Sequence, residues 1–361
     1  MVAILLSCNE GPVQNSWSKF RGNNENTGFS GRPAPKDLTN LKWKFKTQEG
    51  FWSSPSVAEE VLFFGSMDGY LYAIDVKTGK EKWKFKTEES IWSSPAVADD
   101  LVFFGSNDGY LYAVDVKTGQ EKWRFKTRDE DSRSAAVTSS PAVAEGVVFF
   151  GATDGYLYAV DVRTGQERWK FKAESGISSS PAITEGVLFF GGWDGYLYAI
   201  DVKTGQENWK FKTEKGIRSS PAVADGLVFL TSLDKHLYAV NVETGQGRWK
   251  FKTEEWIDSS PAVAGGSVFF GSDDKYLYSV DVKTGQENWK FKTGDEIYSS
   301  PATAEGVLFF GSKDGYLYAV DAQTGQENWK FKTEDVILSS PAIVDGTVIF
   351  GSHDGYIYAL D

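Results

Sequence analysis

Apolar and polar residues alternate along most of the chain, in short runs separated by turn residues. In VLFFGSMDGYLYAIDVKTGKEKWKFKT, one apolar run leads to Asp68-Gly69 and the next leads to Thr78-Gly79. A third run places Trp83 and Phe85 on one side and lysines on the other, as expected of an extended chain. Alternation of this kind, broken by Asp-Gly or Thr-Gly, is typical of β-strands joined by tight turns. The pattern therefore predicts an all-β protein.

The same pattern recurs with a nearly constant period. Eight tryptophans mark it, spaced by 40 residues apart from one step of 46 residues: Trp43, Trp83, Trp123, Trp169, Trp209, Trp249, Trp289 and Trp329. Each period opens on a Ser-Ser-Pro triplet, with prolines at Pro55, Pro95, Pro141, Pro181, Pro221, Pro261, Pro301 and Pro341. Four short strands in a period near 40 residues are typical of a propeller blade. We therefore predict an eight-bladed β-propeller with four antiparallel strands per blade.

The two ends of the repeat array complement each other. The last repeat stops at Asp361 after its third strand, whereas an unmatched fourth-strand sequence, LKWKFKT, occupies residues 41–47. We expect this N-terminal strand to close the last blade, so that residues 41–361 form a single propeller. Residues 17–40 precede it as a lead-in segment, and residues 1–16 form a tail that resembles the remnant of a signal sequence.

The tail contains the chain's only cysteine. An apolar run, Val2 to Leu6, stands directly before Ser7-Cys8 and resembles the end of a bacterial lipoprotein signal, in which Cys8 would carry the lipid. No Lys or Arg precedes this run, and an unmodified tail with an idle cysteine is the alternative. A single cysteine also excludes an internal disulfide.

One motif within the repeat resembles that of a known family. Ala-x-Asp-x-x-Thr-Gly-x-x-x-Trp, as at Ala113, Asp115 and Trp123, is similar to the tryptophan-docking motif of the PQQ-like repeat propellers, a family with BamB-like and quinoprotein-type members. The resemblance covers residues 41–361, and residues 17–31 are similar to the lead-in of many members. It implies that the eight tryptophans are structural, each stacking on the next blade. It also implies a place in the cell envelope, periplasmic or extracellular.

Three repeats depart from this motif. Asn241 replaces the Asp, Ser279 replaces the Ala, and Ala322 replaces the Val that follows the Asp. His236 stands where other repeats have Tyr, and we interpret it as a tolerated substitution.

Catalytic signals are missing from the sequence. A quinoprotein dehydrogenase would be expected, from the resemblance, to have an adjacent cysteine pair, a calcium cluster of Glu, Asn and Asp, and a catalytic Asp; one cysteine excludes the pair. No nucleophile elbow, phosphate-binding loop or dinucleotide-binding motif is present. Asp258, Asp273 and Asp274 could bind calcium, but solvated acidic loops are the favoured interpretation because no carbonyl-rich loop spacing accompanies them. We expect no metal site and no cofactor, with PQQ and calcium as the alternative.

Two positions vary strongly among otherwise similar repeats. The first slot lies three residues before each triplet proline and contains Trp52, Trp92, Thr138, Ser178, Arg218, Asp258, Tyr298 and Leu338. The second slot precedes the acidic residue of the hairpin and contains Met67, Asn107, Thr153, Trp193, Leu233, Asp273, Lys313 and His353. Because successive strands reverse direction, the loops that carry both slots lie on one face of the disc. The extra residues of the long period, within 128–137, belong to the same loops.

The first slot is asymmetric around the ring. Tyr298, Leu338, Trp52 and Trp92 follow one another as an apolar half, and the remaining four residues form a polar half. Clustered aromatic residues with a neighbouring Arg are typical of recognition sites, whereas unconstrained variation between duplicated repeats is the alternative. The residues predicted to bind a ligand are Trp52, Trp92, Tyr298, Leu338, Arg218, Asp258, Trp193, Lys313, His353 and Asn107.

These observations predict a monomeric, non-catalytic binding or protein-interaction scaffold of the cell envelope. Its partner would be a protein or peptide, or a small molecule or carbohydrate, on the variable face. The formal charge of −12 argues against nucleic acid as a partner. A PQQ-binding quinoprotein oxidoreductase and a carbohydrate- or peptide-binding propeller are the alternatives.

Overall fold

The computed structural model of the protein describes residues 18–31, 40–127 and 135–361. Every regular element in these ranges is a β-strand, and the strands form eight sheets. Each sheet has four antiparallel strands, and one sheet has an additional parallel strand at its inner edge. The predicted eight-bladed propeller is confirmed. Cys8 and most of the extra residues between the second and third blades lie outside the described residues.

The blades repeat one strand plan. The first, innermost strands are Ser56–Ala58, Ala96–Ala98, Ala142–Ala144, Ala182–Thr184, Ala222–Ala224, Ala262–Ala264, Ala302–Ala304 and Ala342–Val344. The second strands are Val61–Gly65, Leu101–Gly105, Val147–Gly151, Val187–Gly191, Leu227–Ser232, Ser267–Gly271, Val307–Gly311 and Thr347–Gly351. The third strands are Tyr70–Asp75, Tyr110–Asp115, Tyr156–Asp161, Tyr196–Asp201, His236–Asn241, Tyr276–Asp281, Tyr316–Asp321 and Tyr356–Leu360. The outer strands are Glu81–Lys86, Glu121–Lys126, Glu167–Lys172, Glu207–Lys212, Gly247–Lys252, Glu287–Lys292, Glu327–Lys332 and Leu41–Lys46.

The N-terminal strand closes the ring as predicted. Leu41–Lys46 pairs antiparallel with Tyr356–Leu360, with Trp43 opposite Ala359. The last blade therefore takes three strands from the C-terminus and one from the N-terminus. This pairing fixes the two ends of the array to each other.

The repeated tryptophans join each blade to the next. The indole N–H of Trp83 donates to the carbonyl oxygen of Val116 in the following blade at 3.0 Å, and the same bond is formed by Trp43, Trp123, Trp169, Trp209, Trp249 and Trp289. A side chain on Gly119 would collide with the Trp83 ring, because a Cβ there would lie 2.6 Å from it. The Gly of each Thr-Gly pair is thus required both by its positive φ and by the ring above it.

The hairpin aspartates lock the loops of the variable face. Asp68 accepts hydrogen bonds from the Tyr70 N–H, the Tyr72 hydroxyl and the Gln48 N–H. The last of these ties the hairpin between strands two and three to the loop that leads into the first strand. Both loops are therefore held by a single carboxylate, and the repeat keeps it in every blade.

The core lies between neighbouring blades. Phe63 and Leu71 of the first blade pack with Ile91, Phe104 and Tyr112 of the second, and all five are buried. Burying an apolar side chain of this size stabilises the fold by roughly 1.5–3 kcal/mol. The ring is a stack of such interfaces, so a blade is stable only between its neighbours.

Candidate functional site: a funnel on the axis of the propeller

A closed ring of serines surrounds the axis. The backbone N–H of Ser54 donates to the hydroxyl oxygen of Ser94 in the next blade at 2.9 Å. The same bond of 2.9–3.0 Å repeats at Ser94, Ser140, Ser180, Ser220, Ser260 and Ser300 and ends where Ser340 donates back to Ser54. All eight serines are buried. The second Ser of each triplet therefore sets the distance between neighbouring first strands.

The first described part of the lead-in segment, residues 18–31, lies in the channel inside this ring. Its carbonyl oxygens accept hydrogen bonds of 2.7–2.9 Å from backbone N–H groups of first strands, which belong to Val97, Ile183, Val223, Val263 and Thr303. Phe29–Ser30 then pairs in parallel with the first strand of the seventh blade. The sequence predicted a lead-in but not its course through the axis.

Buried polar side chains fix the lead-in segment. Arg21 donates to the carbonyl oxygens of Pro261 and Pro301, and Asn26 donates to that of Pro181. Burial lowers the pKa of Arg21 to about 9. Burial also lowers the pKa of Lys19 to about 7, against the opposing charge of Glu25.

On the variable face the axis widens into a cavity of about 780 Å³, here called the funnel. All eight residues of the first slot line it, together with Asn107, Thr153 and Trp193 of the second slot. Phe20 of the lead-in segment and seven of the eight ring serines, all but Ser300, also line it. Since the lead-in segment occupies the channel beyond, the funnel is a pocket rather than a pore.

The remaining predicted residues contact this lining. The Lys313 ammonium lies 4.9 Å from the centroid of the Tyr298 ring, and the His353 and Trp52 ring centroids are 5.8 Å apart. The structure thus brings all ten predicted residues to one place. Their role in binding stays a prediction.

One wall of the funnel is aromatic. The Trp52 and Trp92 ring centroids are 5.9 Å apart, with 39% and 41% of these residues exposed. Trp193 belongs to the fourth blade, on the polar half; it is 45% exposed and donates its indole N–H to the Ser178 hydroxyl at 2.8 Å. A fourth exposed tryptophan, Trp256, stands near the opposite wall and was not among the predicted site residues. Trp256 lies in the loop that carries the first slot, two residues before Asp258, and this placement could have indicated it from the sequence.

The other wall carries charged groups. Arg218 forms an ion pair with Asp258 at 3.7 Å, and Lys313 forms one with Glu296 at 2.7 Å. Burial raises the pKa of Asp258, although Arg218 opposes the effect. Burial, with the charges of Asp258 and Glu296, raises the pKa of Asp273 to about 7.

The three aspartates considered for calcium do not act together. Asp274 is the hairpin aspartate of the sixth blade and accepts hydrogen bonds from the Tyr278 hydroxyl and the Glu254 N–H. Asp258 lines the funnel, and Asp273 lies close enough for the charge of Asp258 to raise its pKa. In the described ranges, no group of three or more His, Cys, Asp or Glu side chains is placed to hold a metal ion.

Unpaired polar atoms are concentrated at the funnel. Six buried side-chain nitrogen or oxygen atoms lack a hydrogen-bond partner within the described part of the chain, and four belong to slot residues: Asn107 Oδ1, Thr138 Oγ1, Asp273 Oδ1 and His353 Nε2. Buried polar atoms are normally paired, so such a concentration is typical of a site that meets a polar ligand or solvent.

A second cavity of about 1140 Å³ opens on the opposite face, between the sixth and seventh blades, beside Phe29 and Trp289. It is larger than the funnel, but it lies among the turns of the less variable face. Small residues account for its presence, because Gly265, Ser267 and Ala322 replace bulkier counterparts in most other blades. We favour the funnel as the functional site because it gathers the variable residues and most of the unpaired atoms.

A family model described as outer membrane protein assembly factor BamB matches residues 37–172, 153–255 and 243–361. The chain belongs to this family. Family membership agrees with the tryptophan-docking motif, and the recognition made from that motif is confirmed. A search of curated protein sequences finds no match.

Solved structures with the same fold include a BamB protein and dehydrogenases. BamB from Moraxella catarrhalis is 16% identical over 89% of this chain and 99% of its own, with a TM-score of 0.76. The quinohemoprotein alcohol dehydrogenase ADHIIG from Pseudomonas putida HK5 is 18% identical over 96% of this chain and 80% of its own, with a TM-score of 0.83. A europium-containing methanol dehydrogenase is 16% identical over 94% of this chain and 91% of its own, with a TM-score of 0.82. At these identities the likeness shows the fold alone.

Proposed function

We propose that this protein is a non-catalytic binding scaffold of the cell envelope and that its partner docks in the funnel. The observation that carries the proposal is the convergence of all eight first-slot residues on one pocket of a rigid ring. Loops on a rigid scaffold are a common place for recognition, and exposed aromatic residues grouped with Arg are typical of binding hot spots. Membership of the BamB family supports the envelope and a protein or peptide partner.

The residues present do not fit a quinone cofactor with a metal ion. Such a cofactor carries carboxylates and needs free cations, but Arg218 and Lys313 already pair with Asp258 and Glu296. A metal ion beside it would need several oxygen or nitrogen ligands, and the described ranges offer no group of three or more His, Cys, Asp or Glu. Dehydrogenases share the fold, but the chemistry of this wall favours binding over oxidation.

Attachment to the membrane is part of the proposal. None of the described residues forms a helix that could cross a membrane. The proposal assigns attachment to lipid on Cys8, because the apolar run from Val2 to Leu6 before Ser7-Cys8 resembles the end of a lipoprotein signal. Incorporation of radiolabelled palmitate should be lost in Cys8→Ser. Incorporation that persists in this variant would contradict the anchor.

Site-specific photo-crosslinking tests where the partner docks. A benzophenone amino acid at position 218 places the probe in the funnel, and one at position 206 places it in a turn of the opposite face. In intact cells we expect a discrete adduct from position 218 alone, lost when Trp52→Ala and Trp92→Ala are combined. Equal adducts from both positions, or an adduct that survives the double substitution, would overturn the funnel as the docking site.

A further inference from the structure

The unpaired atoms of the funnel indicate what kind of ligand it suits. The amide oxygen of Asn107 can only accept hydrogen bonds, as can the carboxylate of Asp273 once it has lost its proton, and the Thr138 hydroxyl can accept or donate. Burial lowers the pKa of His353 and so favours its neutral form. Unpaired oxygen atoms in a poorly hydrated wall create a negative local potential even where a ligand does not touch them. A ligand that donates hydrogen bonds is favoured over one that accepts them.

The fixed charges point in the same direction. Asp258 and Glu296 are paired with cations, whereas Asp273 has no ion pair within the described residues. The polar wall therefore carries one carboxylate in excess once Asp273 has lost its proton. The guanidinium of Arg21, in the lead-in segment, is held by the carbonyl oxygens of Pro261 and Pro301, one residue beyond the serine ring.

The two walls face each other across the axis. Trp92 belongs to the second blade and Asp258 and Asp273 belong to the sixth, which stands opposite in a ring of eight. In an extended peptide, neighbouring side chains point in opposite directions. A single extended segment can therefore place one side chain on each wall.

From this arrangement we propose that the funnel binds an extended peptide in which an arginine or lysine stands next to an apolar residue. The cation lies against the polar wall near Asp273, and the apolar side chain lies against Trp52 and Trp92. This inference rests on the proposed function and names the chemistry of the partner. A neutral sugar would also stack on tryptophan, but it would leave the excess carboxylate without a counter-charge.

A pair of isosteric peptides tests the proposal by calorimetry on the full-length protein. The probes are acetyl-Gly-Leu-Arg-Gly-amide and the same peptide with citrulline in place of arginine, which removes the charge and keeps the shape. We expect the arginine peptide to bind with a Kd lower by about tenfold, the ratio that one modest charge interaction produces. The preference should increase from pH 6 to pH 8, because Asp273 loses its proton over this range. Burial raises its pKa to about 7, the charges of Asp258, Glu296 and Asp274 raise it further, and Lys313 lowers it.

Variants distinguish the parts of the proposal. Asp273→Asn should remove the preference for arginine over citrulline, and Trp52→Ala with Trp92→Ala should weaken both peptides. Lys283→Gln, on the opposite face, should change neither and serves as the matched control.

Three outcomes would overturn the cationic peptide. They are equal affinity for both peptides, tighter binding of a glutamate peptide, and binding of maltotetraose with no peptide binding. Each would leave the funnel as the docking site if the crosslink at position 218 persists. Failure of that crosslink would instead reject the proposed function itself.

Discussion

The guanidinium of Arg21 donates through Nη2 to the carbonyl oxygen of Pro261 at 2.9 Å, inside the axial channel. Arg21 is almost completely buried, and the two residues are far apart in the chain. The bond joins the lead-in segment to the inner edge of the sixth blade. It also satisfies a carbonyl group that water cannot reach.

Arg21→Ala should loosen the lead-in segment. It leaves the carbonyl groups of Pro261 and Pro301 unpaired, at a cost of about 1–3 kcal/mol for each buried group. We expect the backbone amides of Val223, Val263 and Thr303 to exchange with deuterium roughly tenfold faster or more. The amide of Val228, within the second strand of the fifth blade, serves as the control and should keep its rate. Unchanged exchange at all three amides would contradict the role given to Arg21.

Trp209→Ala should destabilise the ring strongly. The substitution removes the indole that packs over Gly245 and donates to the carbonyl oxygen of Val242. Loss of a packed aromatic side chain costs about 3 kcal/mol or more. Trp193→Ala removes an exposed tryptophan in the funnel and should cost less than about 1 kcal/mol. Urea denaturation of both variants measures the difference, and equal losses would show that docking does not stabilise the blades.

Ser180→Ala should open the serine ring at one point. The hydroxyl oxygen of Ser180 accepts from the Ser140 N–H, which would become a buried donor without a partner. We expect a loss of about 1–2 kcal/mol in the free energy of unfolding. Ser178→Ala, two residues away in the funnel wall, should change it by less than about 0.5 kcal/mol. A Ser180→Ala protein as stable as its control would mean that the ring bonds are replaceable.

Asp273→Asn should change how stability depends on pH. The pKa of Asp273 lies near 7 in the folded protein against an ordinary value of 3.8, so the folded state holds the proton more tightly. Stability therefore falls as the pH rises from about 4 to 7. At pH 8 the variant should be more stable than the parent by roughly 1 kcal/mol, a value reduced for the partial exposure of the group.

The difference should shrink towards zero at pH 4, where both side chains are neutral. Thermal unfolding at the two pH values measures it. Asp99→Asn is the control, because an exposed turn residue should shift both values alike. A constant difference at both pH values would refute the raised pKa.

Much of the ring could be predicted because the same residue types recur at the same spacing in every repeat. The Trp and Ser-Ser-Pro periods gave eight blades, and the unmatched LKWKFKT gave the closing strand. Because successive strands reverse direction, the sequence also predicts that both variable slots lie on one face of the disc. Each of these inferences depends on residue type and spacing within one period.

The path of the lead-in segment through the channel could not be predicted, because most of its bonds to the first strands are made by backbone carbonyl groups. Asn24, Glu25 and Thr27 contact the first strands through backbone carbonyl groups, which any residue could supply. The serine ring joins residues of different blades, so its pattern looks locally like ordinary strand sequence. The charge balance at Asp273 depends on Glu296 and Lys313 of the next blade, which no single repeat displays.

Because the eight blades are nearly identical, the sequence of one blade does not specify how many blades close the ring, and the lead-in segment supplies this specification. A chain of equivalent repeats could close one blade too early, since any outer strand resembles the N-terminal strand. The segment from Ser18 to Gly31 has no second copy, and it pairs with particular first strands in a fixed order. These bonds distinguish five of the eight blades from one another, and only the full count of blades brings Leu41 beside Leu360.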